Sequence, residues 1–296
     1  MSRKVLITGA TGDTGRVAVK EALALGLDVR ALVHSLDGRS EALEKLGSKV
    51  VLGDLLEIDT VRAAMEGVDA AYLVWPVAPG LIQATVNFAQ AATEAGVSTV
   101  INQSQRSANR YSTSNSCRDS FIAEQVLNWS GVPVIHLRPT YFLEWLLYPW
   151  QLPYLQKGML RMPVGKGRHS PIAAEDQGRA IAALLKNPQA HIGRTIPISG
   201  PVEMDHEQMA VELTEALGRK IVFQDLPIDE YCRSLEAMSV PPYIVQHLGG
   251  AMDDYQHGHM SGADNNVELL TGRRSMTVGE FAHAHADVLN GTPGNH

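Results

Sequence analysis

The first half of the chain alternates two kinds of apolar segment. Short, nearly unbroken runs rich in Val, Ile and Leu occupy Lys4 to Thr8, Asp28 to Val33, Lys49 to Leu52, Ala70 to Trp75, Thr99 to Asn102 and Pro133 to Leu137. Such runs predict parallel strands buried on both faces. Between them lie segments of helical composition: Arg16 to Leu25, Glu41 to Leu46, Ile58 to Met65, Leu81 to Ala95 and Asp119 to Ser130. These end at or near Gly26, Gly47, Gly67, Gly96 and Gly131. Glycine takes the left-handed turn that closes a helix. Six strands alternating with helices across short loops predict an α/β fold, a Rossmann-type doubly wound parallel sheet. Right-handed crossovers then place a ligand crevice at the carboxyl ends of the strands.

After residue 140 the rhythm changes. Pro149, Pro153, Pro163 and Pro171, with Gly158, Gly165 and Gly167, break the chain into loops and short elements. Asp176 to Lys186 predicts a helix that Glu175 and Asp176 are placed to cap. Arg194 to Ile198 reads as a strand, Asp205 to Leu217 as a helix and Lys220 to Phe223 as a strand. Residues 227–296 read as mainly helical, with a disordered tail from Asn290 to His296. The expected division is a nucleotide-binding domain over 1–150, to which 176–200 returns. Residues 151–175 and 201–296 form a smaller, mainly helical substrate-binding region.

Composition narrows the partners. The 296 residues carry 25 Lys and Arg against 32 Asp and Glu, a net charge of −7. A nucleic-acid binder needs a basic footprint, so none is expected. Cys117 and Cys232 are too few for a disulfide framework, which makes a reducing cytoplasm the default. The apolar run at Val5 to Ile7 is broken too soon for a signal peptide. No apolar run approaches the roughly 18 residues of a membrane span.

The chemistry begins at Gly9-Ala10-Thr11-Gly12-Asp13-Thr14-Gly15, which follows the first strand and opens the first helix. Glycines allow a tight turn and close backbone approach, and a helix N-terminus attracts phosphate. That strand–turn–helix setting points to the pyrophosphate of a dinucleotide. After the second strand, an acidic residue would bind a ribose hydroxyl and an arginine a 2′-phosphate. His34-Ser35 stand there instead. Neutral histidine is a poor phosphate clamp, Asp37 lies three residues on, and Arg39 contributes only if its loop folds back. Between NAD(H) and NADP(H) the balance tips to NAD(H).

Several segments, in this order, carry a resemblance: Val5 to Gly12, Val29 to Val33, Gly53-Asp54-Leu55, Ser104, Glu124 with Leu127 and Ser130-Gly131, Leu137-Arg138-Pro139, and Asp176 before a helix. Together they resemble the atypical short-chain dehydrogenase/reductases, and among these the NmrA-like family. That family includes quinone reductases, triphenylmethane-dye reductases and redox-sensing regulators. The resemblance implies that Thr11 to Gly15 hold the pyrophosphate, while Asp54 and Leu55 flank the adenine. It implies that Val74, Trp75 and Pro76 line the central stretch of the cofactor. Ser104 and Pro139, Thr140 and Tyr141 would surround the nicotinamide, with Ser104 and Tyr141 as catalytic candidates. Arg138 reads as a structural charge at a strand end. The superfamily's usual Tyr-x-x-x-Lys acid is missing: Ser116 and Ser120 occupy its two positions, and nearby Tyr111 has no spaced lysine. Epimerases and dehydratases depend on that pair. An acceptor that spreads the incoming charge over conjugated rings does not.

The aromatic residues add a substrate class. Only 17 of 296 residues are aromatic, yet Tyr141, Phe142, Trp145, Tyr148, Trp150 and Tyr154 fall within 14 positions. They begin where the sixth strand should reach the nicotinamide. Aromatic faces stack on planar rings, and Gln103, Ser104, Gln105 and Glu144 offer polar groups among them. Trp75, Gln105, Phe142, Trp145, Tyr148 and Trp150 are therefore expected to bind a small planar aromatic, in a monomer or a homodimer. The expected function is NAD(P)H-dependent hydride transfer to a flat quinone-like polycycle, a hydroxyanthraquinone or similar polyketide. Tailoring reductases of aromatic polyketide pathways resemble this combination. The other reading is a redox-sensing regulator that binds the dinucleotide without catalysis. His247, His257 and His259 near Asp253 and Asp254 read as a solvated loop without a persuasive metal-ligand set, although one of them has room to cap the pocket as a donor. Met238, Met252 and Met260 read as adaptable filling. His169 reads as a surface turn, and Cys117 has no base beside it.

Overall fold

A computed structural model describes residues 2–291. The six expected strands are β1 (Lys4–Ile7), β2 (Asp28–Val33), β3 (Lys49–Leu52), β4 (Ala70–Leu73), β5 (Thr99–Gln103) and β6 (Val134–Pro139). The helices between them are α1 (Asp13–Ala24), α2 (Gly38–Lys45), α3 (Ile58–Met65), α4 (Leu81–Glu94) and α5 (Asn115–Ser130). A 3₁₀ turn (Leu143–Leu147), α6 (Leu152–Gln156), β7 (Met159–Arg161) and α7 (Ala174–Lys186) follow. The chain then runs through β8 (Thr195–Ile198), α8 (His206–Leu217), β9 (Val222–Gln224), α9 (Ile228–Ala237) and α10 (Pro242–Gln256). It closes with α11 (Asn266–Thr271), α12 (Val278–Ala284) and α13 (Ala286–Asn290).

The large sheet has the order β3-β2-β1-β4-β5-β6-β8, and every pairing is parallel. Its centre is fully buried, as the unbroken apolar runs require: Val5, Leu6 and Ile7 have no exposed surface. One face packs on α1 and α7, the other on α3, α4 and α5. Helices α1 and α7 touch closely because Gly178 has no side chain; a Cβ there would lie 2.6 Å from the Val17 Cβ. A third apolar cluster draws its residues from 141 onward and lies among the C-terminal helices. No helix among the described residues is long and apolar enough to cross a membrane.

Several boundaries differ from expectation for identifiable reasons. Helix α5 starts at Asn115, because the Ser114 hydroxyl accepts the Cys117 N–H and caps it. Helix α2 starts at Gly38, capped by Asp37, which also binds the Arg39 guanidinium and keeps that arginine on its own helix. Glu175 and Asp176 do not cap α7. The Ala174 N–H instead donates to Glu144 across 2.9 Å, and Asp176 pairs with Arg179 and accepts the Met276 N–H. The strand β7 was not anticipated; it pairs in parallel with β9, which runs from Val222 rather than Lys220. Asn290 closes α13 and is not part of a disordered tail; residues 292–296 of that expected tail lie outside the described residues.

Candidate active site

Strands β1, β4, β5 and β6 end at one edge of the sheet, and a cavity of about 510 Å³ opens there. Its first wall is the glycine loop. Gly9 turns at a φ of +56°, and a Cβ on it would meet Val74 Cγ1 at 2.5 Å. A Cβ on Gly15 would lie 2.1 Å from the Gly9 carbonyl oxygen, whereas one on Gly12 would lie 3.3 Å from it. The loop can fold this tightly only without side chains. Gly12 is the N-cap of α1 and no side chain caps the helix. Gly12, Asp13, Thr14 and Gly15 all line the cavity. Uncapped first-turn amides at the positive end of a helix dipole fit a pyrophosphate.

Val74, Trp75 and Pro76 continue this wall past β4. Thr8 fixes their entry by accepting the Val74 N–H at 2.9 Å, and the Trp75 indole donates to the Ala78 carbonyl. Ser104, Gln105 and Pro139 come from the ends of β5 and β6. Ser104 Oγ is buried without a hydrogen-bond partner among the described residues, as is Gln103 Oε1. An orphaned hydroxyl at this edge suits a polar ligand such as a carboxamide. The Gln105 amide donates to Ser116 Oγ at 3.2 Å and Ser120 Oγ at 2.8 Å. The two positions of the missing acid pair thus hold small hydroxyls tied to one glutamine.

The opposite wall is aromatic. Tyr141, Phe142, Trp145, Tyr148 and Trp150 all line the cavity. Trp145 meets the Tyr141 ring edge-on at 5.4 Å, and Tyr148 meets Trp150 edge-on at 4.9 Å. Tyr154 turns away, where the Arg161 guanidinium covers its ring. Tyr141 does not suit the part of an acid. Its hydroxyl donates to Met162 Sδ at 3.5 Å inside the core, its ring stacks on His169, and burial raises its pKa. The Tyr148 hydroxyl donates to Asp13 Oδ2 at 3.1 Å, and both residues line the cavity.

Other expected residues stand elsewhere. Thr11, His34, Asp54 and Leu55 do not line the cavity. His34 Nε2 lies 3.5 Å from Asp54 Oδ2 near the surface, and Asp54 also accepts the Leu56 N–H. Leu55 is buried against the sheet, with its carbonyl accepting the Asn87 side chain. Arg138 binds Glu124 through two hydrogen bonds, one of 2.8 Å. Glu144 is buried beside the α7 N-terminus and is not among the lining residues. Burial raises its carboxyl to about 7.

Two histidine readings are overturned. His169 is fully buried, stacked on Tyr141 and edge-on to His206, because the turn carrying it bridges to Met204 in the core. His247 is not on a loop: α10 covers it, and it lines the cavity with Ile244, Leu248, Ala251 and Tyr255. The spacing of 244, 247, 248, 251 and 255 is a single helical face. That period was the available signal, obscured by the polar residues around Asp253. His257 and His259 do stand at the exposed end, beside Asp253 and Asp254.

The family model of NmrA-like proteins matches residues 1–282. An NAD(P)H azoreductase of Xenophilus azovorans is 27% identical over 282 residues, covering 95% of this chain and 98% of that protein. An NADPH-dependent quinone oxidoreductase of Escherichia coli, solved with NADPH, superposes with a TM-score of 0.84 at 22% identity, covering 95% of this chain and 99% of that one. A triphenylmethane reductase of Citrobacter sp., solved with NADP(H), gives 0.83 at 19% identity, with the same coverages. The two structural likenesses establish a common fold.

Proposed function

The chain belongs to the NmrA-like family, and from that premise we propose that it is an NAD(P)H-dependent reductase acting on a flat, quinone-like polycyclic aromatic. A hydroxyanthraquinone or related polyketide is the favoured substrate. The observation that carries this reading is one continuous cavity that joins the glycine loop to the five aromatic side chains between residues 141 and 150. The azoreductase relative, by its name, reduces a conjugated acceptor with either nicotinamide cofactor. In this reading residues 1–150 and 176–200 carry the cofactor, and 151–175 and 201–291 cover the substrate together with the aromatic segment that begins at Tyr141.

A bound dihydronicotinamide supplies the hydride. Gly9, Gly12, Thr14 and Gly15 would hold its pyrophosphate by backbone contact, Val74 to Pro76 its middle, and Ser104 and Pro139 its carboxamide end. The preference for NAD(H) rests on the absence of a guanidinium at His34, since Arg39 is held by Asp37. The chain's own work is orientation and exclusion of water. Trp75, Phe142 and Trp145 would press the acceptor flat against the transferring face. Ser116 and Ser120 cannot act as an acid of the tyrosine kind, so the acceptor itself must accommodate charge. A quinone does so over its ring system. The two free cysteines fit a cytoplasmic enzyme.

Anaerobic mixing of the protein, NADH or NADPH and a hydroxyanthraquinone is expected to bleach the cofactor's near-ultraviolet band at a rate proportional to enzyme. No turnover with any member of a quinone panel would sink the proposal.

A further inference from the structure

The reductase reading leaves unanswered what steadies the negative charge that a quinone oxygen gains once a hydride has reached the ring. On the strand-end wall Gln103 is bonded to Gln177 and Gln105 to Ser116 and Ser120, and the unpartnered Ser104 hydroxyl is assigned in that reading to the carboxamide of the cofactor. The α10 face of the cavity is apolar except at few points. Tyr243 gives its hydroxyl to Asp119, and the Tyr255 hydroxyl is buried without a partner among the described residues. His247 is the remaining polar side chain on that face among the described residues.

Its setting is built, not incidental. Helix α10 rides directly on the N-terminus of α5, where a Cβ on Gly250 would lie 2.4 Å from the Ser114 nitrogen. Around that contact Gln246 accepts the Asn115 N–H, and Asp254 accepts the Ser112 hydroxyl. His247 Nδ1 lies 2.9 Å from Ser114 Oγ. That hydroxyl already accepts the Cys117 N–H, so its own proton is available for Nδ1. The ring's proton then belongs on Nε2, because a neutral imidazole with one accepting nitrogen donates from the other. The Trp145 ring centre stands 6.4 Å from the imidazole centre with the two rings perpendicular, so the imidazole and the aromatic wall are neighbours.

We propose that His247, oriented by Ser114, donates the hydrogen bond from Nε2 that stabilises the oxygen anion formed when a quinone-like substrate is reduced. This proposal rests on the reductase reading. The hydride brings two electrons and forms a C–H bond at a ring carbon or carbonyl carbon, and the dihydronicotinamide is oxidised. The displaced π pair settles on oxygen. The imidazole keeps its proton throughout, and the oxygen takes one from water as product leaves. Burial lowers the His247 pKa to about 4, so the ring is a neutral donor at ordinary pH. A preorganised donor aimed at developing charge is worth far more in a closed site than in water.

The test compares His247→Leu with His247→Gln, whose amide can still donate. With a hydroxyanthraquinone, kcat of the Leu variant is expected to fall roughly a hundredfold, and the Gln variant to recover to within about tenfold of wild type. With a cationic triarylmethane dye the hydride neutralises a cation and no oxygen anion forms. Dye turnover in the Leu variant should stay within about threefold of wild type, a change worth under 1 kcal/mol. A second readout needs no turnover. In cofactor-free protein, the visible band of bound hydroxyanthraquinone should report phenol ionisation about one pH unit higher in the Leu variant. Equal losses on both acceptors, a Gln variant no better than Leu, or an unshifted ionisation would overturn the proposal. Should the dye prove no substrate, the Gln and Leu comparison and the ionisation decide. A wild-type protein that reduces neither acceptor overturns the reductase reading, and the role of His247 in reduction with it.

Discussion

The two walls of the cavity are built on opposite principles. The glycine wall is contiguous in sequence and made of backbone, and its shape is set by the side chains it lacks. The aromatic wall is assembled from a loop after β6 and from α10, about a hundred residues apart, and its shape is set by the side chains it has. The first wall tolerates no added atom at Gly15 but makes few demands on its neighbours. The second depends on the docking of α10 against α5. Such a division lets one region keep a common ligand while the other varies its pocket.

The largest blow to this contrast is Gly15→Ala. Its Cβ would lie 2.1 Å from the Gly9 oxygen, while the same change at Gly12 leaves 3.3 Å. Dinucleotide affinity, read by tryptophan fluorescence, should drop roughly a hundredfold or more for Gly15→Ala and much less for Gly12→Ala, given overpacking costs of about 1–3 kcal/mol. Equal losses at both positions would mean the loop is not held as described. Next comes Glu144, which ties the turn carrying the aromatic wall to the first amide of α7. Its pKa rises from the ordinary 4.5 to about 7. The folded state therefore holds a proton that the unfolded chain has lost between these values. Stability should decline as pH climbs through that window, by up to about 3 kcal/mol, and level off above it. Glu144→Gln should flatten that slope in urea melts taken from pH 4.5 to 8. A slope unchanged by the substitution would place the titration elsewhere. The smallest effect is expected at Trp145→Ala. It should raise the KM for a planar acceptor about tenfold at most, as stacking energies of 0.5–1.5 kcal/mol allow, with dinucleotide affinity held within about threefold. Parallel loss of both would show that Trp145 supports the fold instead of the substrate.

The same division decided what the sequence disclosed. The strands were legible because burial on both faces leaves an uninterrupted apolar run, as in Val5 to Ile7 and Val29 to Val33. The glycine loop was legible because it is local. Its partners were not. Nothing near His247 in sequence reveals Ser114, more than a hundred residues away, and the close contact that joins them depends on Gly250, an unremarkable residue until α10 meets α5. His169 buries both ring nitrogens without partners among the described residues, so its polar appearance misled. Leu55 stood beside a matching Asp54 but packs into the core with Val61, Leu73 and Phe88. The cap of α7 comes from Glu144, thirty residues upstream, where no local rule would look for it.

The bond from Tyr148 to Asp13 ties the aromatic wall to the first turn of α1, the helix that follows the glycine loop. Each wall thereby holds a stake in the occupancy of the other. On the proposed function, phosphates that repel the Asp13 carboxylate would disturb Tyr148, and a planar ring that shifts Tyr148 would release Asp13. Thermodynamic reciprocity makes the two effects equal: whatever factor the first ligand imposes on the second is returned. One phenol–carboxylate contact would then couple the affinities of the two proposed ligands, whichever of them enters first.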